Sequence, residues 1–238
     1  PCNTLGNHAT PRVYSVFGDE INNNLQARLH LMMLLCLKGT PFLYNGEEIG
    51  MSDLSIDDAS RFRDPLSQLY RELAEKAIGC DDQQAVKIGA MRGRDRNRTP
   101  MQWSGEANGG FSPAGVEPWL PVNPDYSSGV NVFEQSRTPN SLLKYYQHLL
   151  RFRKEWPALR AGDYEEVDCS NPDVLGFARR TENEEILILL NMSAVRQNIS
   201  LENVFVKKVI FTTRGEKCVG SDTMHTLDPY LGIIGLVG

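Results

Sequence analysis

Residues able to bind a hydroxyl-rich ligand are concentrated at positions 94–103. Three guanidinium groups, a carboxylate, side-chain amides and a tryptophan lie within these ten residues. Sugar hydroxyls need charged or polar hydrogen-bond partners, while the face of a pyranose ring packs on flat apolar surface. The segment that follows is rich in Gly, Asn and Pro, which predicts a loop. Residue types alone leave two interpretations open: a loop that contacts sugar, or an ion-paired, solvated surface loop.

A second group of candidates, Asn7, His8 and Ala9, lies in a polar stretch near the start of the chain. By residue type alone, His8 is a histidine in a polar turn, and such residues are more often structural than catalytic. The four histidines, at positions 8, 30, 148 and 225, have no spacing typical of metal ligands. We therefore predict no metal site and no cofactor.

Composition limits the classes of protein to which the chain can belong. Its 238 residues carry a net charge of −5 and 41% hydrophobic residues, which predicts a globular protein of one or two domains. A mildly acidic balance favours neither nucleic acid nor an anionic membrane as a partner. No apolar run reaches the roughly 18 residues of a membrane span. The five cysteines are widely spaced and form no CxxC pair, which indicates a reducing compartment, the cytoplasm.

The elements that must position the candidates divide the chain into two parts. Apolar residues at helical spacing predict helices at 25–38, 64–90 and 141–155, and a short apolar run predicts a buried strand at 40–44. Recurrent Gly, Pro and Asn predict irregular structure from 108 to 139. Five short β-rich runs then predict a small antiparallel β-sandwich. They cover residues 174–178, 186–190, 204–211, 223–227 and 233–237. We expect the domain boundary at 161/162.

Two motifs resemble those of a known family. Arg94, Asp95 and residues 98–103 resemble the RD-x-x-RTPMQW signature of α-glucosidases in the α-amylase superfamily. Asn7-His8-Ala9 resembles the Asn-His-Asp motif that closes the seventh barrel strand of that superfamily, and residues 44–51 resemble the end of the eighth. The resemblance implies an α/β plus all-β fold. Residues 1–161 would be the last two β/α units of a (β/α)8 barrel, and residues 162–238 a β-sandwich. The missing N-terminal half of the barrel would be one partner of this chain, and an oligosaccharide substrate would be the other.

The resemblance also assigns roles to individual residues. In the family, the His and Asp of the motif bind sugar hydroxyls at the cleavage point, and the first arginine of the signature reaches the terminal glucose. Asn7, His8 and Arg94 are therefore expected to bind substrate. Ala9 stands where the family has its stabilising Asp. Because Ala9 has no polar side-chain atom, we expect a loss in rate at least as large as the roughly 10²- to 10³-fold typical of one missing transition-state contact.

Neighbouring residues are expected to be structural. Asp95 and Arg98 are predicted to brace the loop, and Met101 and Trp103 to anchor it, with sugar stacking as the alternative for the last two. Glu47 and Glu48 are adjacent on a segment predicted to be extended, so their side chains would point to opposite faces. They would then be unable to form the pair of carboxyls, about 5 to 5.5 Å apart, that retaining hydrolysis requires.

The resemblance implies part of a retaining glycoside hydrolase of α-glucosidase type, which acts on α-linked glucose oligosaccharides. The family's nucleophilic aspartate and general-acid glutamate lie on the fourth and fifth strands, and nothing in residues 1–238 aligns with those strands. This chain alone is therefore expected to be inactive. Two alternatives stay open. One is a non-catalytic carbohydrate-binding or scaffold relative. The other is a transglycosylating enzyme similar to sucrose isomerases or trehalose synthases.

Overall fold

The computed structural model describes residues 1–19, 21, 23–201, 206–215 and 226–238. Within these ranges the chain forms seven α-helices and nine β-strands. The helices are α1 (Val13–Phe17), α2 (Asn23–Cys36), α3 (Pro65–Leu73), α4 (Asp82–Arg92), α5 (Val132–Arg137), α6 (Leu142–Glu155) and α7 (Pro157–Ala161). The strands are β1 (Cys2–Thr4), β2 (Thr40–Phe42), β3 (Asp163–Glu166), β4 (Val174–Arg180), β5 (Glu185–Asn191), β6 (Gln197–Asn198), β7 (Val206–Thr212), β8 (Thr226–Leu227) and β9 (Gly232–Val237).

The chain divides into two compact units that alternate along the sequence. The first contains Pro1–Leu5, Asp19–Phe42 and Lys144–Gly238, and the second contains Gly6–Gly18 and Leu43–Leu143. In the described part of the chain, no helix combines the length and the apolar character needed to cross a membrane. Cys218, His225 and parts of two predicted strands, 204–205 and 223–225, lie outside the described residues.

An antiparallel sheet forms much of the first unit, with strand order β3-β4-β5-β9-β7. Its central strand β5 carries the run Ile-Leu-Ile-Leu-Leu, and residues 186–190 are buried on both faces of the sheet. The short sheet of β6 and β8 contributes Leu227 to the same apolar core as Leu189 and Ile233. The predicted antiparallel β-structure after Pro157 is therefore confirmed, with the additional strands β3 and β6.

One buried and one half-buried arginine hold the end of α2 in the first unit. Arg179 is fully buried and donates to the carbonyls of Cys36, Leu159 and Gly162, at 2.6, 3.2 and 2.9 Å. Arg153 donates to the carbonyl of Leu35. The last carbonyls of a helix have no partner within the helix, so cations here both satisfy them and oppose the negative end of the helix dipole.

Strands β1 and β2 pair in parallel, in the register Asn3 to Pro41, and α2 lies between them in sequence. Parallel neighbours need a crossover connection of this kind. The prediction of a buried strand at 40–44 was wrong in its burial, because β2 pairs with β1 alone among the described residues and Phe42 is 53% exposed.

Two predictions for the second unit were also wrong. The single helix expected at 64–90 is two helices, because the chain turns at Gly79 with φ +77° and restarts where Asp81 accepts from the backbone N–H of Gln84 at 2.8 Å. The region 108–139 contains helix α5, which begins where the side chain of Asn131 accepts from the backbone N–H of Glu134 at 2.8 Å. In both places a local cap decides the structure.

Candidate functional site

The turn that carries His8 lies in the second unit and is built on the side chain of Asn7. Oδ1 of Asn7 accepts from the backbone N–H of Ala9 at 2.8 Å, and the backbone N–H of Asn7 donates to Oγ1 of Thr10 at 3.2 Å. Asparagine favours such turns because its side chain can accept from the backbone two residues onward. The side chains of His8 and Ala9 are exposed. The motif is thus a self-braced turn that presents His8 at the surface of this unit.

The loop at 94–103 holds this turn through two hydrogen bonds to its backbone carbonyls. Nδ2 of Asn97 donates to the carbonyl of Asn7 at 3.0 Å, and Nε of Arg98 donates to the carbonyl of His8 at 2.8 Å. Asn97 is only 1% exposed. The two motifs are separated by 90 residues in sequence and are joined directly in space. Asn97 was missed from the sequence, since it occupies a position that the signature leaves unspecified.

Arg94 is held by a second residue that the sequence analysis missed, Asp64. The Nε and Nη2 atoms of Arg94 donate to the two carboxylate oxygens of Asp64 at 2.8 and 2.7 Å, and its backbone N–H adds a third bond at 2.8 Å. The side chain of Asp64 is fully buried, while that of Arg94 is one-third exposed. The hydrogen bonds from Arg94 hold the pKa of Asp64 well below its usual range. The signal available in the sequence was Asp64-Pro65, a helix-start pair.

Asp95 and Arg98 brace the loop, as predicted. Asp95 is 3% exposed, and its carboxylate accepts from the backbone N–H groups of Arg63 and Asp64 and from the hydroxyl of Ser67. A buried carboxylate requires several donors of this kind to offset its lost hydration. Asp95 is therefore engaged in structure.

Arg12 links the turn to Tyr44 and Asn45, which lie in the same unit. Its side chain is 1% exposed, Nη1 donates to the carbonyl of Asn45 at 2.8 Å, and the guanidinium lies 5.0 Å from the ring centre of Tyr44. The hydroxyl of Tyr44 in turn donates to the carbonyl of Asn97 at 3.1 Å. Asn7 and Arg12, on either side of His8, thus belong to one network of contacts that runs through Tyr44 and Asn97.

The extended conformation predicted for Glu47 and Glu48 was wrong. The two residues begin a 3₁₀ turn, Glu47–Ile49, between Gly46 and Gly50, whose φ angles of +92° and +78° favour glycine. One carboxylate oxygen of Glu47 accepts from the backbone N–H of Tyr44 at 3.1 Å, and one of Glu48 accepts from that of Gly46 at 2.7 Å. Burial raises the pKa of Glu47 to about 7. Both side chains therefore hold the turn.

The two hydrophobic residues of the signature have different surroundings. Met101 is buried and packs with Ile49, Met51 and Leu143, so its predicted anchoring role is confirmed. Trp103 is 50% exposed, so the same prediction was wrong for it. Its backbone N–H donates to the carbonyl of Gly109 at 2.7 Å, and this main-chain contact holds the segment.

The arrangement around the turn of His8 is suited to binding. His8 is exposed on a braced turn, whereas Asp64 and Asp95 are engaged by donors and Ala9 has no polar side-chain atom. Across the described ranges, no group of three or more His, Cys, Asp or Glu side chains is arranged to hold a metal ion. The unit therefore offers polar groups for recognition on a turn that is held by hydrogen bonds.

Comparison with known proteins assigns the chain to two consecutive family models. The chain matches the family model of the α-amylase catalytic domain over residues 2–162 and that of the maltogenic amylase C-terminal domain over residues 164–234. It is 36% identical to an oligo-1,6-glucosidase of Halalkalibacterium halodurans over 78% of this chain and 32% of that protein. It is 32% identical to a trehalose-6-phosphate hydrolase of Bacillus subtilis over 96% of this chain and 41% of that protein. The chain thus spans between about a third and two-fifths of these relatives.

Solved structures show the same similarity in three dimensions. A trehalose-6-phosphate hydrolase of Bacillus licheniformis superposes with a TM-score of 0.86 at 27% identity, covering 100% of this chain and 43% of that one. The trehalulose synthase of Pseudomonas mesoacidophila gives a TM-score of 0.87 at 28% identity with the same coverage. Since the catalytic-domain model covers more than half of the sequence, the chain belongs to the α-amylase family.

Proposed function

We propose that this chain is part of a retaining glycoside hydrolase that acts on α-linked glucose oligosaccharides, and that it forms one wall of the sugar site. The observation that carries the proposal is the pair of hydrogen bonds from Asn97 and Arg98 to the carbonyls of Asn7 and His8. These bonds join the two family motifs and fix an exposed histidine. The relatives named oligo-1,6-glucosidase and trehalose-6-phosphate hydrolase support an α-glucoside as the substrate class.

We propose three roles at this wall. His8 donates to or accepts from a hydroxyl of the bound glucose. Arg94, oriented by Asp64, reaches the same sugar with the exposed third of its side chain. Asn7 positions His8 through its turn. Ala9 occupies the place of the family's stabilising aspartate, so the contact to the 2-OH and 3-OH groups that strengthens in the transition state is missing.

For the architecture, we propose that residues 1–161 form the last two β/α units of a (β/α)8 barrel and that residues 162–238 form the accompanying β-sandwich. The parallel pair β1 and β2, with α2 between them in sequence, supports the first part. The two family-model ranges, which meet between residues 162 and 164, support the boundary. The nucleophile and the general acid would then come from the preceding half of the barrel.

The free thiols of Cys2, Cys36, Cys80 and Cys169 support a cytoplasmic location.

The test is the Ala9→Asp variant of the complete protein, with release of glucose from isomaltose and maltose as the measurement. We expect Ala9→Asp to raise the rate about 10²- to 10³-fold over the unchanged protein. Ala9→Asn is the matched control, because it has the same shape and lacks the charge that stabilises an oxocarbenium-like transition state. If neither variant nor the unchanged protein releases glucose, the hydrolase proposal is wrong.

A non-catalytic carbohydrate-binding protein is the second candidate, and Ala9 is the residue that favours it. In that case the unchanged protein binds isomaltose, and the Ala9→Asp variant still releases no glucose from it. The similarity to trehalulose synthase adds a transglycosylating variant of the first proposal. Sucrose distinguishes it, because a transglycosylase converts sucrose into an isomeric disaccharide and releases little free glucose.

A further inference from the structure

One carboxyl oxygen of Glu47 lies against the backbone of Gly6, the residue that comes directly before the turn of His8. Oε1 of Glu47 is buried, and a Cβ atom added at Gly6 would overlap it. Among the described residues this oxygen has no hydrogen-bond partner. Such a position suits the neutral acid, because an ionised oxygen there would have neither hydration nor a donor. The position of the side chain therefore depends on its proton.

The second oxygen of the same carboxyl group belongs to the network of Tyr44 and Asn97. Oε2 of Glu47 accepts from the backbone N–H of Tyr44 at 3.1 Å. The hydroxyl of Tyr44 donates to the carbonyl of Asn97, and Nδ2 of Asn97 donates to the carbonyl of Asn7. A movement of Glu47 therefore reaches Asn7 by two routes, through Gly6 and through Asn97.

An ionised Glu47 has a cationic neighbour, the guanidinium of Arg12, which attracts its charge. Nε and Nη2 of Arg12 are buried and have no hydrogen-bond partner in the described part of the chain, while Nη1 donates to the carbonyl of Asn45. A hydrogen bond between a guanidinium and a carboxylate is roughly twice as strong as one between neutral groups. Ionisation is therefore expected to draw Oε1 away from Gly6 and towards Arg12.

Several charged groups influence this pair, but burial has the largest effect on the acid. It raises the pKa of Glu47 to about 7, and the neighbouring charge of Glu48 acts in the same direction, whereas Arg12 opposes both. Titratable groups that act electrostatically on the pair are Tyr44, Glu48, Asp53 and Asp125. The carboxyl group of Glu47 is therefore mainly neutral in mildly acidic solution and mainly ionised in mildly alkaline solution.

We propose that Glu47 is a positioning residue for His8, and that the sugar-binding form of the turn requires the protonated carboxyl group. The proposal rests on the proposed function, in which His8 contacts glucose, and it adds that proton and sugar bind cooperatively. Loss of the proton to solvent draws the side chain from Gly6 to Arg12, and the turn loses its support directly before Asn7. Because such coupling is reciprocal, bound glucose in turn favours the protonated acid.

Calorimetric titration of the complete protein with glucose, at about pH 6 and about pH 8, measures this coupling. Affinity follows the fraction of molecules in the binding form, and the neutral fraction of a group with a pKa of about 7 falls roughly tenfold over this interval. We therefore expect affinity to fall about five- to tenfold. Binding at the higher pH is expected to take up part of a proton, which buffers of different ionisation enthalpy reveal.

Two substitutions separate the proton from the side chain. Glu47→Gln keeps the shape and stays neutral, so we expect it to bind glucose at about pH 8 as tightly as the unchanged protein does at about pH 6, without proton uptake at this site. Glu106→Gln is the matched control at an exposed residue and is expected to retain the pH dependence. Gly6→Ala displaces the side chain of Glu47 at every pH, so weak binding is expected throughout.

Hydrogen exchange tests the same contact without sugar. At about pH 8, the backbone N–H of Ala9 is expected to exchange faster in the unchanged protein than in Glu47→Gln, because only the unchanged protein carries the ionised side chain. Both proteins are measured at one pH, so the chemical rate of exchange is the same in each.

The outcomes separate this proposal from the one on which it rests. Histidine itself changes charge between about pH 5 and 8, so an equal fall in affinity in Glu47→Gln and the unchanged protein would assign the titration to another group and overturn the proposal. Weak binding by Glu47→Gln at both pH values would also overturn it, since the carboxyl group would then be merely structural.

If the unchanged protein binds glucose at neither pH, the proposed function fails at this wall, and the exchange experiment alone decides the role of Glu47. Equal exchange of the Ala9 amide then contradicts that role, and slower exchange in Glu47→Gln supports it. Should Glu47→Gln not fold, Gly6→Ala provides the test, because a pH dependence equal to that of the unchanged protein would contradict the proposal.

Discussion

Replacement of Asn97 by Ala tests whether the turn of His8 is held by the loop at 94–103. Nδ2 of Asn97 donates to the carbonyl of Asn7, which otherwise accepts only a long bond of 3.4 Å from the backbone N–H of Thr10. An acceptor left unsatisfied in a partly buried place costs about 1–2 kcal/mol, and the small cavity adds about 1 kcal/mol. Local stability of the turn is therefore expected to fall by about 2 kcal/mol or more.

Hydrogen exchange of the turn amides measures this change directly. At 1.4 kcal/mol for each factor of ten, a loss of about 2 kcal/mol makes local opening roughly 30-fold more frequent. The backbone N–H of Ala9, which donates to Asn7, is the amide expected to exchange faster. Affinity for glucose is expected to fall in parallel, since His8 loses its fixed position. The matched control is Asn183→Ala, in an exposed turn, where the change stays within about 0.5 kcal/mol.

A specific result would refute this reasoning. If the amides of residues 7–10 exchange at the same rate in the Asn97→Ala and Asn183→Ala variants, the turn holds itself through its own side-chain bond. The link between the two family motifs would then be a contact without energetic consequence. If exchange accelerates while glucose affinity is unchanged, His8 is positioned by the loop but does not bind the sugar.

Three further predictions follow from buried charged groups. Burial raises the pKa of Glu47 from 4.5 to about 7. The stability of the folded chain is therefore expected to fall as the pH rises through this interval. Glu47→Gln stays neutral and is expected to remove this dependence of the melting temperature on pH. Asp64 has the opposite sign, because Arg94 lowers its pKa. Its stabilisation is present above the ordinary value of 3.8 and lost as the pH falls; Asp64→Asn is expected to flatten the acid limb of urea unfolding. Arg179→Met removes the arginine donor from the carbonyls of Cys36 and Gly162, while the carbonyl of Leu159 keeps its bond from Arg153. The substitution is expected to cost about 3 kcal/mol or more in denaturant unfolding, and Arg180→Met, at an exposed residue, is expected to be much milder.

Elements with a strong hydrophobic pattern were predictable from the sequence. Helices α2 and α6 and strands β4, β5 and β9 lie within about two residues of their predicted bounds. The break between α3 and α4 was not, because one glycine within a helical pattern is compatible with a continuous helix. A positive φ at Gly79 and a cap at Asp81 produce it. Single side chains that cap helices carry little periodic signal, so they decide boundaries that periodicity cannot locate.

The site could be predicted as a set of motifs, while its contacts could not. The order of residues in 94–103 indicated a sugar-related loop, yet the bonds from Asn97 and Arg98 go to backbone carbonyls of Asn7 and His8. Main-chain carbonyls are the same at every residue, so nothing in the sequence identifies them as partners. The same holds for Asp64, which lies 30 residues before Arg94 and is paired with it only through the fold.

Two carboxylates of the second unit, those of Asp64 and Asp95, are occupied by hydrogen bonds within the loop that supports His8. Asp64 is neutralised by Arg94, and Asp95 accepts from two backbone N–H groups and a hydroxyl, so protonation of either would break the loop that supports His8. Retaining hydrolysis needs one carboxylate free to attack and another free to exchange a proton. The carboxylates of Asp64 and Asp95 are therefore committed to holding the loop that supports His8. Under the proposed function, Asp64 and Asp95 are therefore not the reacting carboxylates, and this wall acts by holding the sugar.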